Sequence, residues 1–203
     1  MTNDPHAAET SARSHREYYT ALYQAALTIS SSLELDAVLQ SVVISITEAM
    51  QVKACLLRLL DPRTGQLRLS AVHGLSSNYL AKGPVDVERS PIDSEALQGK
   101  TIIIPDLSVD TRFQYQEAAK REGIVSILCV PLEVHGKSIG VMRVYTNEQH
   151  TFHDDDIQFL SVLASLAALA IENASLYHNL KSSYDGVMDA LWGSNLPEQE
   201  PLA

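Results

Sequence analysis

Two arginines, Arg58 and Arg143, are the side chains best suited by type and spacing to bind a ligand. Each falls inside an aliphatic run that predicts a β-strand. Because side chains alternate along a strand, Arg58 shares a face with Leu56, and Arg143 shares one with Val141. If the two faces coincide, the guanidinium groups converge where they favour a carboxylate or a phosphate. The alternative is that each arginine pairs with an acid, as buried charges usually do.

The strands that carry these arginines belong to two predicted hairpins. Residues 61–65 form an Asp-Pro-x-x-Gly turn, and His135-Gly136 supplies the turn of the second hairpin. One further short strand precedes the second hairpin. The predicted strands span residues 53–61, 66–73, 101–105, 125–134 and 138–146.

Helices are predicted where apolar residues recur at three- and four-residue steps. Three consecutive carboxylates, Asp154, Asp155 and Asp156, suit the positive N-terminal end of a long final helix. Pro91 suits the first turn of a short helix, and Gly123 suits the end of another. The predicted helices span residues 14–32, 35–50, 91–99 and 116–122, and the long helix follows residue 154.

Four motifs near the end of the chain occur together in one order. Pro105-Asp106 and Asp110-x-Arg112-Phe113 precede them. In this order and spacing the chain resembles a GAF domain over about residues 33–177. The four motifs are Ser126-x-Leu128-x-Val130-Pro131-Leu132, Gly136-x-x-Ile139-Gly140-Val141, Phe152-x-x-x-Asp156-x-x-Phe159-Leu160 and Ala170-Ile171-Glu172-Asn173-Ala174-x-Leu176-Tyr177.

The resemblance implies an α+β fold with a twisted antiparallel sheet. Helices would cover one face, and a small-molecule pocket with short helices and loops would lie on the other. The strands of the two arginines would be neighbours, and the loop 106–115 would lie over the pocket. In that loop Asp106 and Asp110 are the acids expected to pair with the arginines if no ligand does.

The aromatic and charged residues of the loop suit a lid over a pocket. The alternative is a hydrophobic plug formed by Phe113 and Tyr115, because aromatic side chains most often serve packing. The predicted ligand-binding residues are Arg58, His73, Asp106, Arg112, Tyr115, Arg143 and Tyr145.

The identity of the ligand is left open, although two classes are disfavoured. Cyclic-nucleotide-binding members of the family carry Asn-Lys and then Phe-x-x-x-Asp-Glu. Here Glu148 follows Asn147, and Ile157 follows Asp156, so the pattern departs at two positions. Haem would need an inward histidine, and His73 at a strand end is the single candidate.

Cysteine and histidine chemistry is not favoured. Cys55 and Cys129 lie in predicted strands, where free cysteine behaves as a small buried hydrophobe. This does not match a bilin site, and it gives little support to a GAF-type free methionine sulfoxide reductase. His150-x-x-His153 precedes a helix in a polar turn, which indicates a solvated cap rather than a metal site. We therefore predict no enzyme and no metal.

Composition limits the partners. The chain has 203 residues, a formal net charge of -10 and 45% hydrophobic residues. An acidic globular protein is a poor candidate for nucleic-acid binding, which needs clustered Lys and Arg. The apolar stretch 162–171 is too short to span a bilayer and contains Ser165, so we expect a soluble cytoplasmic protein without a membrane partner.

The terminal segments predict self-association. Tyr18, Leu22, Ala25 and Ile29 form one stripe, while Leu180, Tyr184, Val187 and Leu191 continue a near-heptad seam beyond the domain. Such a seam needs a partner helix, so we expect a homodimer; the alternative is a tail that folds back or frays.

The expected organisation is a disordered lead at residues 1–13, a helix at 14–32, the GAF domain at 33–177, and a helical extension and tail at 178–203. The function expected is a sensory module that binds an unidentified small molecule, for which an anion is the candidate class. It would signal through its terminal helices to a protein partner in trans. The alternative is a dimerisation or scaffold protein with a filled pocket.

Overall fold

A six-stranded antiparallel sheet forms the centre of the protein, in the strand order β3-β2-β1-β6-β5-β4. The computed structural model describes residues 5–31 and 34–192, with side chains described at 15–29 and 34–188. The two predicted hairpins are present, and the central pair β1 and β6 joins them. The strands are β1 Ala54–Asp61, β2 Gln66–His73, β3 Val85–Asp86, β4 Ile102–Ile104, β5 Ser126–Val134 and β6 Lys137–Thr146.

Six α-helices accompany the sheet within these residues. A 3-10 turn at Val87–Arg89 precedes α4. Gly123 ends α5 in the left-handed conformation that glycine adopts without strain. The helices are α1 Pro5–Ser31, α2 Leu35–Ala49, α3 Ser77–Leu80, α4 Pro91–Leu97, α5 Gln116–Glu122 and α6 Asp154–Trp192.

Two hydrophobic cores lie on opposite faces of the sheet. The helix-side core packs α1, α2 and α6 against strand residues such as Leu57, Met142 and Val144. The loop-side core contains Leu56 and Tyr145, together with side chains from α3, α4, α5 and the loop before α5. The predicted α+β fold, with long helices on one face and short helices and loops on the other, is confirmed.

Helix α1 packs against α6 near the N-terminus of α6. The Tyr18 ring stacks on Phe159 with centroids 4.1 Å apart, and its hydroxyl donates to Asp156 at 2.5 Å. Burial, followed by the nearby Asp156 carboxylate, raises the pKa of Tyr18. The predicted stripe therefore serves packing within the chain at Tyr18 and Ala25, both of which are buried.

Two segments differ from the expectations. Helix α1 begins at Pro5, so residues 5–13 are helical where a disordered lead was predicted; proline is favoured in a first helical turn, and alanines follow it. Residues 1–4 lie outside the described part. The segment before Ser90 was predicted as a loop, but it contains α3 and β3. These elements have only four and two residues, too few for a periodic pattern.

The long helix α6 runs through the boundary predicted at residue 177 without a break. Its stretch Asp154–Met188 is long enough to span a membrane, and its most apolar 18-residue window has a mean hydropathy of 1.7, although the apolar run was expected to be too short. Core helices of soluble proteins pass the same test, and 39% of that window is buried in this fold. This single helix is weak evidence for a membrane.

Candidate functional site

The register of β1 and β6 brings the two arginines onto the same face of the sheet. Leu56 pairs with Arg143, and Arg58 pairs with Val141. Residues directly opposite one another share a face, so both guanidinium groups enter the loop side. Arg58 is 4% exposed and Arg143 is 5% exposed.

Arg143 forms a buried ion pair with Asp93 of α4. Its Nη2 contacts Asp93 Oδ1, and the Ser90 hydroxyl donates to Oδ2 at 2.6 Å. Burial alone would lower the pKa of Arg143, but the Asp93 carboxylate holds it well above its usual value. The expected acids were Asp106 and Asp110, so the partner predicted for this arginine was wrong.

Asp106 and Asp110 are occupied by their own loop. Asp106 accepts hydrogen bonds from the backbone N–H and hydroxyl of Ser108, and these bonds lower its pKa. Asp110 pairs with Arg112 at 2.6 Å, and that hydrogen bond lowers the pKa of the carboxyl. Short-range turn bonds therefore hold both acids away from the sheet.

Arg58 has no carboxylate partner among the described residues. Its Nη1 donates to the backbone carbonyls of Leu67 at 3.0 Å and Gly83 at 3.4 Å. Burial lowers the pKa of Arg58, and the positive charge of Arg143 acts in the same direction. Two neutral backbone acceptors thus bind the Arg58 guanidinium, and within the described part of the chain the charge of Asp93 favours its protonated form without a direct ion pair.

A third cation, Lys82, lies beside the arginines and was not predicted. Its Nζ is 3.5 Å from the ring centroid of Tyr79, 4.7 Å from that of Tyr115 and 5.9 Å from that of Phe113. Burial lowers the pKa of Lys82 to about 7, and the charges of Arg143 and Arg58 contribute. In sequence Lys82 is one residue of a polar loop, so little beyond the nearby Tyr79 could have indicated it.

Aromatic rings surround these charges. Tyr79 and Tyr145 meet edge to face with centroids 6.3 Å apart, and the Arg143 guanidinium lies 5.8 Å from the Phe113 centroid. The buried Tyr79 hydroxyl and Arg143 Nε make no hydrogen bond within the described residues. We call this group the cationic cluster, with the members Arg58, Lys82, Asp93, Arg143, Tyr79, Phe113, Tyr115 and Tyr145.

The structure brings together four of the seven predicted binding residues: Arg58, Arg143, Tyr115 and Tyr145. The other three lie elsewhere. His73 is exposed and pairs with Cys55, whose side chain belongs to the helix-side core. Asp106 and the exposed Arg112 remain in the surface loop, where Arg112 also approaches Glu95 at 3.7 Å. Asp93 was not predicted as a member of the cluster, because in the sequence it resembles an ordinary acidic residue in the first turn of a helix.

The cysteines lie on opposite faces of the sheet. Cys55 belongs to the helix-side core and Cys129 to the loop-side core, and both are fully buried. Burial raises the pKa of Cys55, and it raises that of Cys129 to about 11. Thiols in this state are poor nucleophiles, since the thiolate is the reactive form.

The histidine pair before α6 does not form a metal-binding group. The His153 backbone N–H donates to Asp156 at 2.8 Å, and the His150 ring packs edge-on against Phe152. Across the described residues no set of three or more His, Cys, Asp or Glu side chains is arranged to hold a metal ion.

Known proteins resemble this chain in sequence or in architecture. A methyl sulfide methyltransferase-associated sensor of Methanosarcina acetivorans is 26% identical over 176 residues, covering 81% of this chain. The chain spans only 18% of that sensor. The GAF domain of a phosphoenolpyruvate-protein phosphotransferase from Coxiella burnetii superposes with a TM-score of 0.73 at 22% identity, covering 81% of this chain and 98% of its own.

A third similar protein is an enzyme. The free methionine-R-sulfoxide reductase of Neisseria meningitidis, solved with its substrate, superposes with a TM-score of 0.67 at 20% identity. The match covers 79% of this chain and 91% of the reductase. At this identity the likeness concerns the fold alone. The family model of the GAF domain matches residues 34–171, and the chain therefore belongs to the GAF domain family.

Proposed function

We propose that this GAF domain is a sensory module that binds a small anion at the cationic cluster. The observation that carries the proposal is the charge imbalance on the loop side. Arg58, Lys82 and Arg143 lie near one another, and Asp93 is the one acid that pairs with them among the described residues. Buried charges are usually compensated, so an anion is the missing partner.

The unpartnered donors support the same ligand class. Arg143 Nε and the Tyr79 hydroxyl are both buried N–H or O–H groups that find no acceptor among the described residues. A buried donor left unsatisfied costs on the order of 1–3 kcal/mol, which an acceptor oxygen from a ligand would recover. Carboxylates and phosphates offer several acceptor oxygens in the geometry that arginine prefers.

Access to the cluster requires the covering segments to move. Helix α3 and the loop before α5 place Tyr79, Phe113 and Lys82 over the sheet. The start of α3 is joined to the end of α5, because the backbone N–H and hydroxyl of Ser76 donate to Glu122 at 2.8 and 2.5 Å. These segments therefore act as a two-part lid held by an exposed hydrogen-bonded contact.

Ligand occupancy would reach the terminal helices through the central strands. Leu56 and Arg58 lie on the loop side of β1, while Leu57 lies on the helix side under α2 and α6. A ligand that binds one conformation of the lid more tightly would increase the population of that conformation. The accompanying shift of the central strands would change how the helices pack. A separate partner protein, acting in trans, would have to detect that change, and this partner is part of the proposal.

The sensory role has support from the Methanosarcina protein, which is described as a sensor. We propose no enzymatic activity, because the buried Cys55 and Cys129 face opposite cores and their raised pKa values disfavour thiolates. Two unpaired thiols suit a reducing compartment, so the proposal includes a cytoplasmic location.

A thermal-shift screen tests ligand binding directly. The intact chain is titrated with phosphate, sulfate, acetate, pyruvate and succinate at constant ionic strength. A selective rise in Tm is expected for at least one anion, because binding to the folded state stabilises it. Arg58→Met should abolish the rise, while the control Arg68→Met, an exposed arginine of β2, should keep it. If no anion raises Tm more for the parent than for Arg58→Met, the proposal fails.

A second candidate function is assembly without a ligand. Large side chains such as Leu56, Ile92 and Tyr145 are at most 1% exposed, which is also the packing expected of a filled pocket. Under both candidates we propose a homodimer formed by the terminal helices. Leu180, Tyr184 and Val187 are exposed along α6; Leu191 lies outside the residues whose side chains are described.

Analytical ultracentrifugation tests the dimer. The full chain and a chain ending at residue 177 are compared over a range of concentrations. A dimer that dissociates on truncation is expected, since the removed segment carries the exposed Leu180, Tyr184 and Val187. A monomer in both cases contradicts the dimer, and a dimer in both assigns the interface elsewhere.

A further inference from the structure

We propose that the anion bound at the cationic cluster is a small 2-oxo acid, which Lys82 holds covalently as an imine. This inference rests on the proposed function and names the ligand class of the same site. Its three parts are the Lys82 amine, the guanidinium groups of Arg58 and Arg143 as partners of a carboxylate, and the aromatic rings beside the amine.

The amine of Lys82 has no carboxylate partner among the described residues, unlike Lys100, which lies 4.0 Å from Glu95. Its Nζ lies instead over the rings of Tyr79 and Tyr115. A lysine shielded by aromatic walls and placed beside other cations is the usual arrangement of imine-forming lysines.

The charges that face this amine come from several elements. Arg143 of β6 and Arg58 of β1 favour its neutral form, while Asp93 of α4 and Glu122 of α5 favour its protonated form. The ring faces also favour the protonated form. Burial and the guanidinium groups prevail, so a large share of Lys82 is the nucleophilic free amine near neutral pH.

The carboxylate of an oxo acid has partners beside the amine. The two hydrogen bonds of Arg58 to the backbone both use Nη1. Arg143 Nε is buried and has no hydrogen-bond partner in the part of the chain that the structure describes, although Nη2 of the same guanidinium binds Asp93. A carboxylate bound here would balance the charge of Arg58 and accept a hydrogen bond from Arg143 Nε. A simple aldehyde or ketone has no carboxylate and would do neither.

The reaction is a condensation without a redox step. The Lys82 nitrogen forms a bond to the carbonyl carbon, the carbonyl oxygen leaves as water with both protons of the amine, and a carbon–nitrogen double bond remains. The carboxylate is unchanged and stays with the arginines. The Tyr79 hydroxyl, which has no hydrogen-bond partner among the described residues and whose pKa is raised by burial, is a hydrogen-bond donor of the same cluster for the departing oxygen.

Reductive trapping tests this inference. The full chain is incubated with pyruvate and sodium cyanoborohydride at neutral pH, and the modified lysines are mapped by mass spectrometry. One adduct at Lys82 is expected, formed roughly tenfold or more faster than at the exposed Lys137, because the free-amine fraction falls tenfold for each pKa unit above the working pH. Acetone, which lacks the carboxylate, should label Lys82 far more slowly.

Variants separate the possible causes. Lys82→Met should remove the adduct, Lys137→Met should not, and Arg58→Met should reduce labelling by pyruvate to the level seen with acetone. Labelling spread evenly over exposed lysines, or equal labelling by pyruvate and acetone, overturns the inference. If Lys82 stays unlabelled while anions still raise Tm, the imine is wrong and the anion sensor stands; if neither occurs, both proposals fail.

Discussion

Removing the carboxylate of Asp93 should destabilise the domain strongly, because it leaves Arg143 charged and buried. The two side chains are 3% and 6% exposed, so water compensates little of the lost contact. Breaking a buried ion pair by removing one partner costs about 3–5 kcal/mol. The Ser90 hydroxyl also loses its acceptor in Asp93→Ala.

This cost is large compared with the stability of a whole domain, which is about 5–15 kcal/mol. For a chain of this size each kcal/mol lowers Tm by about 2–4 °C, so Asp93→Ala should melt about 6–20 °C below the parent. Arg143→Met should behave similarly, since it leaves the carboxylate buried. The double variant Asp93→Leu/Arg143→Met should return to within about 1–2 kcal/mol of the parent, because apolar replacement of both partners is often neutral.

Urea unfolding followed by circular dichroism measures these proteins together with Asp93→Leu, the single variant that closes the double-mutant cycle with Arg143→Met. Added sulfate gives a further readout, since an unpaired Arg143 in Asp93→Ala is an anion site and sulfate should stabilise this variant more than the parent. The reasoning is refuted if either single variant costs less than about 1 kcal/mol, or if the double variant costs the sum of the two.

Three further predictions use other parts of the fold. Lys82→Met should stabilise the domain at pH 6 by about 2 kcal/mol. It should also flatten the rise in stability that the parent shows between pH 7 and 10.5. That rise is expected because the unfolded chain still holds a proton that the folded chain, in which the Lys82 pKa is about 7, has lost. Unfolding at several pH values checks this, and an unchanged slope contradicts it. Gly140→Ala should be strongly destabilising, because a Cβ at this position would lie 2.2 Å from a backbone oxygen of β1. The control Gly186→Ala lies in a helix with open space around it, so it should be neutral or should stabilise the domain by up to about 1 kcal/mol. Equal Tm values for the two variants would refute the clash. Tyr18→Phe should cost about 1 kcal/mol by removing the hydroxyl bond to Asp156 while the stacking remains, and a loss above about 3 kcal/mol in urea unfolding would show that the contact does more than this.

The regular elements could be predicted because their signals are local. Strand β2 begins and ends at the predicted residues, and so does α5, since turn residues and a terminal glycine mark their limits. Convergence of Arg58 and Arg143 also follows from alternation, once β1 and β6 are neighbours. Hydrophobic periodicity and turn-forming residues act over a few positions, so a single sequence is enough to recognise them.

The composition of the site could not be predicted in the same way. Asp93 and Arg143 are 50 residues apart, and no local pattern links them. Lys82 lies in a segment whose short elements leave no periodic trace, yet tertiary packing places its amine among three rings. His73 was assigned to the site from its position at a strand end, but its pairing with Cys55 puts it on the other face.

Strand β6 has a consequence for how the molecule can be measured. Met142 and Val144 are buried among the long helices, while Arg143 and Tyr145 are buried under the short ones. Isotope labels at consecutive positions of this one strand would therefore report separately on the two halves of the domain. A chemical shift that changes at 143 but not at 142 would mark an event confined to the lid, whereas changes at both would show that the backbone between them had moved.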